Sequence, residues 1–483
     1  MGTTRRSRRA LALALFLSAT ALPATALAGG DPTVIAEAVR RLDSDHDRAT
    51  AAIYVLQAGG AVAAEQIRDA WPALSLLGQA RALRALAPLA ERHGAALEAL
   101  LEAARSEDES LREPALAALG RITPRGRDGL VTLLPDPLVG DRAAEILASS
   151  EPRFALRRLL DAMAEDGGSD RAGLRHALGI AVRLGGADAD RDLRAWLEGR
   201  PDPEVVAAAA LGLRGLEAHR ALLTSLIAYA APRSTGFSTQ WRLLQSAGLA
   251  GASQTVDRWL VEKLEHSPEW MLRHAAVEAI TARGHREEAR GSLADPYPRV
   301  RARAAETLSG DPDSLLLRAA LARRDVWPMV RAAAVISLRS EGAAVPVIVA
   351  SVDDSMSLVR AAAIDVLADA SQPDGWDRIH RRLRDPNEWP NVTAAAIEYV
   401  VAHCRTDAVD SLLRVVMRAA PSHALTEDLN NAALAIGALR ALGSSESRSA
   451  IELLQGTDGV PPTLKMALET PLAGDADCEP TRR

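Results

Sequence analysis

A nine-residue pattern that recurs about every 30 residues is the feature that most constrains the fold. It reads VRARAAETL at 300–308, VRAAAVISL at 330–338 and VRAAAIDVL at 359–367. Each of these boxes begins with Val and Arg, continues with small residues and ends with an aliphatic residue eight positions after the Val. An aspartate stands six positions before each arginine. A repeat of this length predicts a stack of helical hairpins.

The apolar positions within one box have the spacing of an α-helix. Val330, Ala334, Val335 and Leu338 fall on one side of a helix, so the box is predicted to be a helix with one buried face. Another apolar helix is predicted just before it, over 315–321, and Asp–Pro steps separate such helices. Asp suits the N-terminal cap and Pro suits the first helical turn.

The first residue of the box, here called the anchor, can be followed along most of the chain. The anchors are Leu111, Val139, Leu174, Val205, Trp241, Leu272, Val300, Val330, Val359 and Val392. Leu74 is predicted to anchor an earlier unit and Leu429 a later one, and 45–56 is interpreted as an N-terminal cap. We therefore predict an all-α superhelical solenoid of about 11–12 hairpin repeats over residues 29–470, clearest over 268–400.

The pattern resembles HEAT repeats, in particular the short bacterial repeats related to phycobilisome lyases. The resemblance implies an α-α superhelix in which the box helices line the concave side. It also implies a ladder in which the repeated Asp and Arg side chains are linked. The ladder residues would be Asp295, Arg301, Asp325, Arg331, Asp354 and Arg360. Gly140, Val206 and Thr393 stand at the Arg position of other units, where the ladder should be interrupted.

The N-terminus has the layout of a secretory signal peptide. Four arginines precede an apolar run over 10–17, and small residues follow, with a predicted cleavage site after Ala28. The run is too short to cross a bilayer. Residues 1–28 are therefore predicted to be removed, which leaves a soluble periplasmic or extracellular protein. Export by the Sec route or by the twin-arginine route remains open.

Two cysteines are present, and two interpretations of them stay open. Cys404 lies in an apolar helical stretch and Cys478 in a polar tail over 471–483, which we expect to be flexible. A disulfide between them would suit an oxidising compartment. Alternatively, Cys404 is a small buried apolar residue and Cys478 is a free thiol.

Aromatic side chains recur just before the boxes, although aromatic residues make up only 3% of the chain. Trp270, Tyr297, Trp327 and Trp389 form this set, which we call the ridge. One interpretation is a hydrophobic staple, in which each side chain packs on the first turn of its helix. The other is an exposed surface that binds a partner, since Trp and Tyr are frequent binding hot spots. We favour packing.

The remaining sequence favours a binding protein over an enzyme. The net charge is −6, whereas nucleic-acid binding needs a concentrated basic face. The motifs of hydrolases, phosphate loops and dinucleotide sites are missing, and the scattered histidines indicate no metal site, so we expect no cofactor. We predict a non-catalytic scaffold that binds a protein or peptide in the cell envelope. The alternatives are an enzyme of the bilin-lyase or HEAT-like hydroxylase type, or a structural subunit of an envelope complex.

Overall fold

The computed structural model describes residues 30–122, 124–165, 171–370, 374–419, 425–457, 460–469 and 478. Within these ranges the chain forms α-helices and short 3-10 helices, and no strand. The all-α prediction is therefore confirmed. The predicted signal peptide, 1–28, and the predicted tail, 471–483 apart from Cys478, lie outside the described residues. The chain divides into two compact units, Met1–Ser246 and Ala247–Arg483.

The first unit consists of successive helical hairpins. Its helices are α1 (Pro32–Arg40), α2 (His46–Ala58), α3 (Gly60–Ala70), α4 (Leu76–Leu89), α5 (Gly94–Ala104), α6 (Glu109–Leu119), α7 (Arg125–Leu133), α8 (Gly140–Ser150), α9 (Pro152–Glu165), α10 (Ala172–Glu198), α11 (Pro203–Gly212), α12 (Arg220–Ala230) and α13 (Phe237–Ala247), which ends where the units divide. Helix α10 is interrupted at Gly186, whose φ of 55° is not helical. The part of α10 before Gly186 is therefore the last helix of one hairpin, and the part after it is the first helix of the next.

The second unit continues the same arrangement. Its helices are α14 (Gln254–His266), α15 (Trp270–Ala282), α16 (Arg286–Arg290), α17 (Pro298–Thr307), α18 (Leu315–Arg324), α19 (Pro328–Ser337), α20 (Val345–Ser351), α21 (Ser357–Ala368), α22 (Trp376–Arg384), α23 (Pro390–Ala402), α24 (Val409–Arg418), α25 (Thr426–Leu442), α26 (Ser445–Gln455) and α27 (Pro462–Glu469). The odd-numbered helices α15 to α25 each pack on the next and form one layer. The boxes lie in this layer.

Burial follows the predicted helical stripe. Val330, Ala334, Val335 and Leu338 are fully buried, and burying an aliphatic side chain of this size contributes about 1.5–3 kcal/mol. Among the ten anchors from Leu111 to Val392, only Trp241 is partly exposed. Pro328 occupies the first turn of α19, where its missing N–H costs nothing. The box is therefore a packing device, as the sequence indicates.

The two outermost predicted anchors, Leu74 and Leu429, do not occupy the buried anchor position, so these two predictions are wrong. Leu74 precedes helix α4, and Ser75 caps that helix by accepting a hydrogen bond from the Gly78 N–H at 3.1 Å. Gly78 takes the buried position, so the predicted register is four residues early. Leu429 is only partly buried, and α25 buries Ala432 and Ile436 instead.

Cys404 and Cys478 are joined by a disulfide, so the free-thiol interpretation is wrong. Cys404 follows helix α23 with a φ of 49°, in the left-handed region that residues other than glycine seldom adopt. The Sγ atom of Cys478 lies 3.8 Å from the Val401 carbonyl oxygen. The bridge thus brings residue 478 to the C-terminal end of α23.

Candidate functional site

A ladder of buried ion pairs holds the turns that carry the ridge. Arg301 donates from Nε and Nη2 to the two carboxylate oxygens of Asp325, at 2.8 and 3.0 Å. Its Nη1 donates to the carbonyl oxygen of Asp295 in its own repeat, at 2.8 Å. Arg331 binds Asp354 and the carbonyl of Asp325 in the same way. Each guanidinium therefore ties its own turn to the next.

The ladder extends beyond the residues that the sequence singled out. Before them, Arg273 donates to both carboxylate oxygens of Asp295, at 2.7 and 3.0 Å. After them, Arg360 pairs with Glu388, although the sequence suggested only aspartates for this role. Thr393 occupies the position that arginine holds in the preceding units, and it is buried. Because threonine carries no charge, the predicted interruption of the ladder falls here.

The acidic members of the ladder also fix the residue before each box helix. Asp295 accepts the N–H of Tyr297 at 2.7 Å, and Asp325 accepts that of Trp327 at 2.9 Å. Glu388 accepts the N–H of Trp389 at 2.8 Å. The ladder therefore holds the backbone of these three ridge residues.

The charges in the ladder stabilise one another. Burial alone would raise the pKa of Asp354, but hydrogen bonds from Arg331 and from the Met356 N–H lower that pKa below its usual value. The hydrogen bonds to Asp354 raise the pKa of Arg331. Both groups are thus fully ionised at neutral pH, so this rung is an ion pair there.

The ridge residues have two different surroundings. The rings of Trp270 and Tyr297 stack with centroids 4.4 Å apart, and the Arg299 guanidinium lies over Trp270. Both aromatic side chains are partly buried, which suits the packing interpretation. Trp327 and Trp389, by contrast, are 52% and 62% exposed. Packing on the first helical turn does not account for these two.

Other apolar side chains extend the exposed part of the ridge. Met356 stands before the box at 359–367, which lies between the box that follows Trp327 and the box that follows Trp389. Its side chain is exposed, as are those of Val326 and Leu358. The three helices that follow these residues, α19, α21 and α23, are neighbours in one layer. The exposed side chains therefore line one edge of that layer. Contiguous exposed apolar residues are typical of interaction surfaces, which makes this edge the candidate site.

The sequence did not predict a groove that lies at the C-terminal ends of α21 and α23, away from the ridge. It has a volume of about 870 Å³ and runs between α23 and α25, with the C-terminal end of α21 beside it. Small side chains, among them Ala402, Ala433 and Ala441, line much of it, together with Gly437 and Leu434. Glycine inside a helix costs about 1 kcal/mol relative to alanine. A Cβ atom added at Gly437 would meet nothing within 4 Å, so packing within the chain does not require glycine there.

Neither a metal-binding cluster nor a membrane-spanning helix is found in the described part of the chain. It contains no group of three or more His, Cys, Asp or Glu side chains placed to hold a metal ion. None of its helices combines the length and the apolar character needed to cross a bilayer.

Comparison with known proteins supports the fold. No protein-family model and no curated protein matches the chain. Among solved structures, the karyopherin Kap121p bound to the SUMO protease Ulp1p is similar, with a TM-score of 0.50, 12% identity, and coverage of 93% of this chain and 56% of Kap121p. Importin beta matches with a TM-score of 0.42, 13% identity, and coverage of 96% and 73%. The chain thus spans just over half of the length of Kap121p, and the likeness shows a HEAT-like helical solenoid.

Proposed function

We propose that the protein is a non-catalytic HEAT-like scaffold that binds a partner protein in the bacterial cell envelope. The observation that carries the proposal is the pair of exposed tryptophans, Trp327 and Trp389, whose backbone N–H groups are held by the ladder. Rigid aromatic side chains bind with a small loss of conformational entropy, and they dominate the energetics of many interfaces. Hydrogen bonds within the chain hold the backbone of Tyr297, Trp327 and Trp389 without any partner.

Two further observations support this role. In a solenoid, surface residues can vary without disturbing the stacked core, so an extended binding surface is available. Kap121p, whose fold is similar, is bound to another protein in the structure compared. That second argument is an analogy of fold, and fold alone does not determine function. The geometry of the ridge therefore carries more weight.

The binding role is tested by crosslinking in the cell. A photoreactive amino acid placed at Met356, between the two tryptophans, should give discrete protein adducts. The double variant Trp327→Leu and Trp389→Leu should abolish these adducts while the melting temperature stays unchanged. Tyr54→Leu is the matched control, because Tyr54 is also a large exposed aromatic residue, at 70% exposure, in the other unit. Adducts that persist in the double variant, or a variant that only loses stability, would refute the ridge as a binding surface.

The location and the lack of catalysis are tested separately. Fractionation of the source cells, followed by N-terminal sequencing, should recover the chain from the envelope with its first residue near Gly29. An uncleaved chain in the cytoplasm would refute export. Metal analysis of the purified protein should find no stoichiometric iron, and iron at one equivalent would favour the hydroxylase-like alternative.

A further inference from the structure

The groove between α23 and α25 lies at the opposite end of the box helices from the ridge, so its role is a separate question. Its long walls are helices α23 and α25, whose backbone groups are bonded within each helix except at the helix ends. An extended peptide placed there would leave its own N–H and C=O groups against alanine side chains, and unpaired buried groups of this kind are costly. A helical segment has no such groups to satisfy. The walls therefore suit a helix.

The floor of the groove allows another backbone to come close. Ala433, Gly437 and Ala441 are spaced four residues apart on α25 and all line the groove. Spacing of this kind places small residues on one helix face, which lets a second helix approach closely. Leu434, 43% exposed, adds an apolar contact. The lining on α25 runs from Asn430 to Ala441, roughly 16 Å or three helical turns.

The groove also carries one carboxylate that no cation of the described residues neutralises. Glu398 lines it and, within the described part of the chain, has no cation within 4 Å, unlike Asp369, which pairs with Arg339 at 2.9 Å. Helices α21 and α23 end at the groove, and helix C-termini attract cations. The pKa of Asp365 is raised to about 6, first by burial and then by repulsion from the carboxylates of Glu398 and Asp369. Arg339 opposes the rise. Asp365 is exposed at the surface, so repulsion from the neighbouring carboxylates is an important cause of its raised pKa. A cation placed here would relieve that repulsion.

We propose that this groove binds an α-helical segment of a partner protein that packs small or apolar residues on Gly437 and places an Arg or Lys side chain beside Glu398. The occupant is identified by its chemistry: a helix with one apolar face and a basic residue at the edge of that face. An acidic helix, an uncharged helix and an extended peptide are the competing occupants.

The test selects ligands without assuming a sequence. The probe is a phage-displayed library of helical peptides about 16 residues long, roughly 24 Å, with apolar residues fixed at every fourth position and the others randomised. Selection uses the full mature chain, with its disulfide intact. Enriched peptides should carry Arg or Lys at one recurring position. Enrichment of acidic or uncharged peptides, or no enrichment above the unselected library, would overturn the proposal.

Variants then locate the binding. Gly437→Trp fills the groove and should weaken the selected peptides at least about a hundredfold, and Glu398→Gln about tenfold. Gly342→Trp is the control for bulk, since a Cβ at Gly342 also meets nothing within 4 Å but the residue lies outside the groove. Glu65→Gln, at an exposed carboxylate in the other unit, is the control for charge. If Gly437→Trp unfolds the protein, Ala433→Trp blocks the same groove one turn earlier.

The outcomes separate this proposal from the ridge. Peptides that bind Gly437→Trp or Ala433→Trp as tightly as the wild type would show that they bind elsewhere, and the proposal would fail. Binding should survive the ridge variant with leucine at Trp327 and Trp389. Loss of binding in that variant alone would assign the peptides to the ridge and would also overturn the groove proposal.

Discussion

Replacement of Arg331 by methionine removes one buried rung of the ladder and gives the sharpest test of its role. The Arg331 and Asp354 side chains are only 11% and 14% exposed, and they are joined at 2.7 Å. Breaking a buried ion pair by removing one partner costs about 3–5 kcal/mol. Asp354 keeps its hydrogen bond from the Met356 N–H, so we expect the lower end, about 3 kcal/mol.

A second ion pair of the same repeat provides the control. Arg339 and Asp369 are joined at 2.9 Å, but their side chains are 48% and 57% exposed. Exposed pairs contribute about 0–1 kcal/mol, so Arg339→Met should cost less than about 1 kcal/mol. The two arginine variants thus differ in the burial of the pair that is lost. An equal cost for both would refute the reasoning that the buried ladder stabilises the stack.

The assay has to resolve local unfolding, because a solenoid opens in segments. Urea unfolding followed by circular dichroism gives the total change in stability, and hydrogen exchange shows where protection is lost. In Arg331→Met we expect the loss around 325–330 and 354–359, since Arg331 links these two turns. A loss spread evenly over both units would contradict a local role for the rung.

The same rung predicts a dependence on pH. The folded-state pKa of Asp354 is below its ordinary value, which is about 3.9 in an unfolded chain. The contribution of the rung is therefore complete above that value and is lost as the pH falls through the folded pKa. Acidification below pH about 4 should destabilise the wild type more than Arg331→Met. Parallel acid titrations of the two proteins would contradict this.

Three further predictions concern the end of the second unit. Cys404→Ser opens the bridge to Cys478, which closes a separation of 74 residues, and should lower the free energy of unfolding by about 2–4 kcal/mol; an unchanged melting temperature would contradict this. The folded-state pKa of Asp365, about 6, is above its unfolded value of about 3.9, so the stability that it contributes is lost as the pH rises from about 4 to about 6. Asp365→Asn should raise the free energy of unfolding in urea at pH 7 by less than about 1 kcal/mol, because the group is exposed; a lower free energy of unfolding would contradict this. Gly437→Ala should stabilise the protein by about 0.5–1 kcal/mol in urea unfolding, and a destabilisation would show that the new Cβ meets an obstacle.

The repeat architecture could be predicted because burial imposes a helical spacing that is visible in the sequence. The stripe from Val330 to Leu338 is buried at each predicted position, since a box helix packs against neighbours on several sides. The last rung of the ladder could not be predicted in the same way. Glu388 has a longer side chain than aspartate and pairs with Arg360 from a different sequence position. A pattern that requires an aspartate six residues before an arginine does not find it.

The exposure of the ridge was harder to infer, because the same aromatic step precedes helices with different neighbours. Tyr297 has Trp270 to stack against, whereas Trp327 and Trp389 are more than half exposed. Whether an aromatic side chain at this position packs or remains free depends on its contacts with neighbouring repeats. A large residue in the previous repeat is not sufficient, since Tyr297 precedes Trp327 by one repeat and Trp327 is still exposed. Such a dependence between repeats is not visible in any single box.

The groove was missed for a reason that can be traced to one register error. With Leu429 as the anchor, the stripe of the box would bury the positions four and eight residues later, which are Ala433 and Gly437. Small residues at buried positions mean close packing between helices, so nothing in that register suggests an open surface. Helix α25 instead buries Ala432 and Ile436, which rotates the helix and turns Ala433 and Gly437 outward. The same small residues thus mean a packed core in one register and an open groove in the other, and only the structure decides between the two.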